Sequence, residues 1–160
     1  MDDFKEVQVT YELPLDGDGF LRRQCPTCDQ QFKWHDGPAN EEAEQHADAD
    51  VYYCPLCGSP AEADHWFTDD QVDFIQGEVH KAAMPKLDEL LDGVFKGLSG
   101  PNIKVKRTGH LETPVGPDPL VEDDDMVIVA SPCHGFEPVK VPDGWSQTIH
   151  CLVCGERFAV

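Results

Sequence analysis

Apolar and polar residues alternate along several short stretches near the start of the chain, which is the pattern of half-buried β-strands. Residues 7–13 and 20–24 show this alternation on either side of the turn sequence DGDG, and residues 30–34 and 51–53 carry further strand-like runs. Between these last two runs, residues 36–50 are acidic and contain no large apolar side chain. We therefore expect short strands at the alternating stretches and a mobile loop at 36–50.

A helical pattern follows the second of these regions. Thr68 and Gln71 have the spacing of a capping box, which marks a helix N-terminus, and the sequence Ser-Gly-Pro at 99–101 marks its end. Apolar residues recur between them at three- and four-residue spacing, at Val72, Ile75, Val79, Ala83, Leu87, Leu90, Val94 and Leu98. We expect this stripe either to be buried in a core or to form the seam of a homodimer through helix 69–98, with a bend at Pro85.

Strand-like alternation returns after the helix. Residues 103–107 and 110–115 flank a Thr-Gly turn and predict a hairpin, residues 126–131 predict a buried strand, and shorter runs follow in PVKV, QTIHC and ERFAV. The pattern as a whole predicts an α+β fold. Its parts would be an N-terminal β-module with a zinc ribbon, a connecting amphipathic helix, and a small antiparallel C-terminal β-module with a second zinc knuckle, at residues 1–66, 67–98 and 99–160.

Cysteines spaced as Cys-x-x-Cys are the strongest chemical signal in the sequence. Two such pairs follow strand-like residues and carry proline after the first cysteine, at Cys25, Cys28, Cys54 and Cys57. Structural zinc takes four tetrahedral ligands, and a Cys-x-x-Cys on a tight turn offers two sulfurs at the required reach. Gly58 supplies the left-handed backbone that usually follows such a turn, and Asp29 holds the matching place after the first pair. We predict that these four cysteines bind structural zinc.

The order strand, CPTC, strand, excursion, CPLCG over residues 20–60 resembles the zinc-ribbon superfamily, with knuckles of the rubredoxin type. The resemblance implies a structural zinc held by two knuckles. It implies no particular function, because zinc ribbons serve in transcription, translation, enzymes and adaptors alike.

The C-terminal end carries a third knuckle sequence. Cys151 and Cys154, followed by Gly155, repeat the Cys-x-x-Cys-Gly pattern without its proline. The segment SPCHGF would be the partner, but it supplies Cys133 and places Phe136 where the second cysteine of a full pair belongs. A fourth ligand must therefore come from another residue, or the knuckle has lost its metal and is held by packing alone.

His134 is the nearest candidate for this fourth ligand, and three cysteines with one histidine are a recognised structural zinc set. His150 and His110 are the other candidates. The site needs a sharp turn to bring adjacent residues to one metal, which the flanking proline and glycine of SPCHGF allow. The predicted second set is Cys133, His134, Cys151 and Cys154.

The net charge of the chain is −19 at pH 7. Nucleic-acid binding depends on lysine and arginine to neutralise phosphates, so this charge disfavours a nucleic-acid partner. It suits solubility, a salty cytoplasm, a basic protein partner or mimicry of nucleic-acid charge. The longest apolar run is far shorter than the roughly 20 residues that span a bilayer, and the acidic N-terminus lacks the apolar core of a secretory signal. We expect a cytoplasmic location without membrane insertion, where reducing conditions favour metal ligation over disulfides.

These observations favour a non-enzymatic adaptor or regulatory protein that binds two structural zinc ions per chain and acts through protein–protein contacts. A nucleic-acid or transcription-machinery-associated zinc ribbon is the first alternative. A zinc-dependent enzyme or enzyme subunit is the second, because a catalytic zinc keeps one position open for water. An enzymatic role is disfavoured because no general base is evident. Glu137 and Glu156 are the only carboxylates close in sequence to the C-terminal cysteines, and neither lies in a defined motif.

Overall fold

A computed structural model describes residues 7–160. Residues 1–6, part of the acidic N-terminus that argues against a secretory signal, lie outside this range. The fold is mixed, with one long helix and small antiparallel sheets in the described residues, as the sequence predicts. The strands and the long helix are β1 (Phe20–Gln24), β2 (Gln31–His35), β3 (Val51–Tyr53), β4 (Pro60–Glu62), α1 (Asp69–Leu98), β5 (Met126–Val129), β6 (Val139–Pro142), β7 (Ile149–His150) and β8 (Arg157–Phe158). The loop at 36–50 contains one short 3-10 helix, Ala43–Gln45.

The chain forms two compact units. The first, which we call the strand unit, comprises residues 13–71 and 120–160 and contains all eight strands named above. The second, which we call the helix unit, comprises residues 72–119 together with the described residues before 13. Helix α1 starts in the strand unit and continues into the helix unit.

This division differs from the three segments 1–66, 67–98 and 99–160 that the sequence suggests. The largest sheet has the strand order β1-β2-β6-β5, with every neighbour antiparallel. Trp34 on β2 pairs with Val139 on β6, so the sheet contains strands from both ends of the chain. The two predicted β-modules are therefore parts of one unit, because a long-range strand pairing joins them.

Two hairpins, β3–β4 and β7–β8, complete the strand unit. Its core combines cysteines with large apolar side chains, namely Cys25, Phe32, Cys54, Leu56, Trp66, Val139, Val141, Ile149 and Leu152. Trp66 is fully buried, and Trp34 and Trp145 pack against the same core. Tryptophan rings thus cover the cysteine-rich region, which gives a small core much of its apolar area.

A network of ion pairs lies across the central sheet. Lys33 on β2 and Lys140 on β6 are register partners, and their exposed fractions are 0% and 1%. The Nζ atoms of these lysines lie 3.2 and 2.8 Å from the same oxygen, Oδ2 of Asp16. Further carboxylates around the two lysines come from Asp18, Glu122, Asp124 and Asp125. The acidic run before β5 is thereby attached to the sheet.

Helix α1 begins as predicted. The backbone N–H of Thr68 donates to Oε1 of Gln71 at 3.0 Å, and the backbone N–H of Gln71 donates to Oγ1 of Thr68 at 3.1 Å. This reciprocal pair is the capping box. The side chain of Gln71 also donates to the carbonyl oxygen of Arg22 at 2.9 Å, which ties the first turn to β1.

The apolar stripe of α1 is not part of a core, contrary to one of the two expectations from the sequence. Six of its residues are between 38% and 60% exposed: Val72, Val79, Leu87, Leu90, Val94 and Leu98. The segment after the helix returns along a different face, where Pro117 approaches Gly77 and Arg107 binds Asp88. With 3.6 residues per turn, that face lies nearly opposite the stripe, which stays open.

Three further expectations are wrong. Residues 7–13 and 103–115 form no strands, so neither the first strand nor the hairpin after the helix is present. Part of the second stretch instead packs on α1, because Asp88 accepts hydrogen bonds from Arg107 and from the backbone of Leu111. The strand expected to be buried at 126–131 is β5, an edge strand with half-exposed apolar side chains. Among residues 7–160, no helix is both long and apolar enough to cross a membrane.

Candidate metal centres

The three Cys-x-x-Cys sequences fold into the same backbone turn. In each, the residue after the second cysteine donates its N–H to the carbonyl oxygen of the first cysteine, at 3.0, 2.8 and 2.8 Å. These donors are Asp29, Gly58 and Gly155, and their φ angles are 60°, 79° and 75°. The left-handed backbone predicted at Gly58 and Asp29 is therefore confirmed, and Gly155 adopts the same conformation. Asp29 adopts it with a side chain, as aspartate can more readily than most residues.

Four cysteines from two of these turns converge, and we call Cys25, Cys28, Cys54 and Cys57 the first cluster. Their sulfur atoms all lie within 4.8 Å of one another. The Sγ atoms of Cys25 and Cys57 are 3.7 Å apart, and those of Cys28 and Cys54 are 3.9 Å apart. Sulfurs bound tetrahedrally at about 2.3 Å from zinc lie about 3.8 Å apart, whereas disulfide sulfurs lie about 2.0 Å apart. The first cluster is geometrically compatible with a pair of zinc knuckles.

Backbone amides surround the sulfurs of the first cluster. The N–H groups of Thr27 and Cys28 donate to Sγ of Cys25, and the N–H of Leu56 donates to Sγ of Cys54, each at 3.4 Å. Such donors stabilise thiolates rather than thiols. The knuckle backbone therefore favours the charged form that binds a metal ion.

The pKa values within the first cluster diverge, as expected for crowded thiols that compete for charge. Burial raises the pKa of Cys28 to about 11, with neighbouring thiols adding to the effect. Burial likewise raises the pKa of Cys54 far above its ordinary value. Burial also opposes ionisation of Cys57, but hydrogen bonds from Ser59 and the neighbouring cysteines lower its pKa to about 7. A divalent cation would offset the mutual repulsion and allow all four thiolates to form.

The third knuckle meets the segment SPCHGF, and we call Cys133, His134, Cys151 and Cys154 the second cluster. Its ligand atoms also lie within 4.8 Å of one another. The Sγ atoms of Cys133 and Cys154 are 3.5 Å apart, and Sγ of Cys151 lies 3.5 Å from Nδ1 of His134. A tetrahedral ion with a Zn–N distance of about 2.0–2.1 Å would separate sulfur and nitrogen by about 3.6 Å. The second cluster is also geometrically compatible with zinc.

The other two histidines considered as a fourth ligand lie elsewhere. Nδ1 of His150 is 3.2 Å from the carbonyl oxygen of Gly155, outside the second cluster. His110 belongs to the helix unit, where its Nδ1 lies 3.1 Å from Oδ2 of Asp88. Of the three candidates, the structure brings only His134 to the cysteines. Three sulfurs and one nitrogen make a closed set that leaves no open position for water.

Ser131 organises the second cluster, although it was not among the residues predicted for this site. This buried serine accepts a hydrogen bond from the backbone N–H of His134 at 3.0 Å and donates its hydroxyl to Sγ of Cys151 at 3.2 Å. A serine three residues before the amide that it caps is a local turn motif, so its spacing from His134 was the available signal. The turn explains how adjacent residues, Cys133 and His134, both face the cluster.

The two clusters differ in exposure. Cys25 and Cys54 of the first cluster are buried in the core of the strand unit, next to Trp66. The first cluster has one exposed ligand, Cys57, whereas the second has two, Cys133 and Cys154, beside the buried Cys151. A cavity of about 180 Å³ lies beside the second cluster, lined in part by His134, but it is smaller than ordinary sites for small molecules. The second cluster is thus the more accessible of the two to competing ligands.

Comparison of the chain with models of protein families, with curated proteins and with solved structures finds no match. The support for the resemblance to zinc ribbons is therefore the geometry of the two cysteine-rich clusters, which is compatible with zinc knuckles.

Proposed function

We propose that the protein binds two zinc ions per chain, one at each cluster, and that both ions are structural. The observation that carries this proposal is the separation of 3.7 and 3.9 Å across the first cluster, which matches the edge of a tetrahedron of sulfurs around zinc. Four protein ligands at each cluster leave no coordination position for a substrate. The assignment of zinc to the second cluster, with His134 as the fourth ligand, is supported by the equivalent distances there.

Metal binding would supply much of the stability of the strand unit. Its strands have two to five residues, and two cysteines of the first cluster lie within its core. Structural zinc contributes an apparent 10–16 kcal/mol or so to the folding of small peptides at pH 7. An ion at this point would fix four separate chain positions around that core.

Metal analysis of protein purified without added metal tests the proposal. We expect two zinc ions per chain by elemental analysis, and one for a His134→Ala variant whose second cluster has lost a ligand. His110→Ala is the matched control and should retain two, because that histidine faces Asp88 instead of the cysteines. Two zinc ions in His134→Ala would overturn the ligand assignment, and iron in place of zinc would overturn the metal.

We further propose that the protein works as a cytoplasmic adaptor or regulatory protein through contacts with other proteins. Two features support this: the net charge of −19, and the exposed stripe on α1 that includes Leu90 and Val94. Exposed apolar stripes of this kind are typical of helices that bind a partner. The charge favours a basic partner, while the stripe also suits a homodimer through helix 69–98.

Solution mass and binding to a basic peptide separate these two possibilities. Sedimentation equilibrium that gives twice the chain mass, reduced to one chain mass by Leu90→Asp, would support the homodimer. A monomer that binds polylysine with an affinity that falls as salt rises would support a basic partner. Gln147→Asp adds the same single negative charge at an exposed residue outside α1 and is the control. A monomer without affinity for the basic peptide would contradict both.

A further inference from the structure

The two knuckles that belong to different clusters are in direct contact with each other. The backbone N–H of Tyr53 donates to the carbonyl oxygen of Leu152 at 2.9 Å, and the backbone N–H of His150 donates to the carbonyl oxygen of Pro55 at 2.8 Å. Tyr53 and His150 each precede the first cysteine of their knuckle, and Pro55 and Leu152 each follow it. The two hydrogen bonds therefore join equivalent positions of the two knuckles in opposite directions, and the contact has approximate two-fold symmetry.

The same exchange relates two ring–glycine contacts. The ring of His150 covers Gly58 so closely that a Cβ placed there would lie 2.7 Å from its Nδ1. The ring of Tyr53 covers Gly155 in the same way, and a Cβ there would lie 2.7 Å from Cδ1 of Tyr53. Each glycine therefore meets two demands, a left-handed backbone and space for a ring that comes from the other knuckle.

We infer that Tyr53 and His150 are crossed positioning residues: Tyr53 supports the second cluster, and His150 supports the first. A consequence is that the two clusters bind metal with positive coupling. Tyr53 precedes Cys54 of the first cluster but covers the knuckle of the second. His150 precedes Cys151 of the second cluster, and its Nδ1 lies 3.2 Å from the carbonyl oxygen of Gly155 there, but its ring covers Gly58 in the knuckle of the first. This inference rests on the proposed metal binding and goes beyond it.

The coupling has a physical basis in the ordering of the knuckles. A knuckle presents its two sulfurs at metal-binding distance only when its turn is formed, and each turn here is held at a carbonyl and at a glycine by the other knuckle. A metal ion that fixes one knuckle therefore also fixes the groups that hold the second. The second ion then binds to a turn whose conformational entropy is already reduced, and the coupling is reciprocal by thermodynamic necessity.

Cadmium-113 NMR on the full chain resolves the two clusters, because a site of four cysteines and a site of three cysteines and one histidine give different chemical shifts. Each affinity for Cd²⁺ is measured by competition with a chelator. We expect Tyr53→Ala to weaken Cd²⁺ binding at the second cluster more than at the first, and His150→Ala to do the reverse. Coupling between sites typically amounts to roughly 5- to 150-fold in affinity, and we expect effects within that range.

Conservative variants and a neighbouring ring complete the design. Tyr53→Phe keeps the ring over Gly155 and should restore the affinity lost in Tyr53→Ala. His150→Phe keeps the ring over Gly58 but removes the hydrogen bond to the carbonyl oxygen of Gly155, so it should restore the affinity of the first cluster specifically. Tyr52→Ala removes a ring from the same strand, but that ring packs on Trp34 rather than on a knuckle glycine, so it should not produce the crossed pattern. Weakening of each residue's own cluster, or of both clusters equally, would overturn the crossed assignment.

A second measurement leaves the contact itself intact. Cys154→Ser disables the second cluster and should lower the Cd²⁺ affinity of the first, and Cys57→Ser should lower that of the second by the same factor. Unchanged affinities in these variants would overturn the coupling even if an alanine variant fails to fold. The proposed function fails separately, if the unaltered chain binds neither Cd²⁺ nor Zn²⁺.

Discussion

Lys140 is nearly fully buried, and nearby carboxylates stabilise its charge. Its Nζ lies within 3.0 Å of oxygens on Asp16, Asp18 and Asp124. Burial opposes the charge of Lys140, but hydrogen bonds to these carboxylates raise its pKa above the ordinary value. The same contacts act on Asp16, where burial opposes ionisation but hydrogen bonds from Lys140, Lys33 and two backbone amides hold the pKa well below its usual range. The positive charge of Lys140 and the negative charge of Asp16 therefore stabilise each other.

Replacing Lys140 by methionine should destabilise the strand unit. The change keeps the apolar stem but leaves Asp16 buried with Lys33 as its one remaining lysine partner among residues 7–160. Removing one partner of a buried ion pair costs about 3–5 kcal/mol, so we expect a loss of that order in the free energy of unfolding in urea. Lys104→Met, at an exposed lysine outside the network, should change it by less than about 0.5 kcal/mol. A Lys140→Met variant as stable as the unaltered chain would contradict this account.

Individual residues also show where sequence reasoning is sufficient and where it is not. Gly58 and Asp29 were predictable, because their left-handed backbone follows from a turn only a few residues long. The burial of Lys33 and Lys140 was not, because it depends on a pairing between residues that are far apart in the sequence. A lysine in an alternating stretch is ordinarily an exposed residue. Nothing local distinguishes these two lysines from exposed ones.

At the scale of elements, the start of α1 was the best-determined boundary. Its capping box is local and reciprocal, and the observed hydrogen bonds match it. The sequence does not determine which face of α1 is buried, because the stripe and the opposite face both carry apolar residues. The segment after the helix packs through Pro117, Arg107 and Leu111 against the face that carries Asp88, a choice that depends on contacts outside the helix.

Substituting Thr68 should weaken the N-terminus of α1. Thr68→Ala removes the hydroxyl that accepts the N–H of Gln71 and leaves that donor without its cap. Loss of such a cap costs about 1 kcal/mol, within a range of about 0.5–2 kcal/mol. We expect this decrease in the free energy of unfolding, measured by circular dichroism in urea. Thr68→Ser should restore most of it, and Thr108→Ala, at an exposed threonine outside the helix, should have no comparable effect.

Asp88 should remain ionised at a pH where an ordinary aspartate is protonated. Hydrogen bonds from the backbone N–H of Leu111, and from Arg107 and His110, outweigh burial and lower its pKa to about 2. A lowered folded pKa means that the stabilisation is present above the unfolded value of about 3.9 and is lost as pH falls towards 2. The amide proton of Leu111 should therefore show no titration step near pH 4 by NMR. A midpoint near 4, equal to that of an exposed aspartate, would contradict the contact.

For the whole molecule, the arrangement of the clusters matters more than their number. Both lie in the strand unit, and the contact between the knuckles joins the turns at residues 54–58 and 151–155. The sequence identified every cysteine of both clusters, because Cys-x-x-Cys spacing is local. It did not indicate that the ends of the chain share a sheet, because strand pairing over about a hundred residues leaves no local signature.

Removal of metal by a chelator should proceed in two phases. The second cluster is expected to release zinc first, because two of its ligands are exposed, Cys133 and Cys154, against one in the first cluster, Cys57. The positive coupling then predicts that the remaining ion leaves faster from this partly emptied protein than from the fully loaded one. A colorimetric chelator measures the released zinc over time, with amide hydrogen exchange of the core strands recorded in parallel.

Cys133→Ser should lack the early phase and show faster release from the first cluster. Early exchange around Phe32 and Ile149, before any zinc leaves the second cluster, would contradict this order.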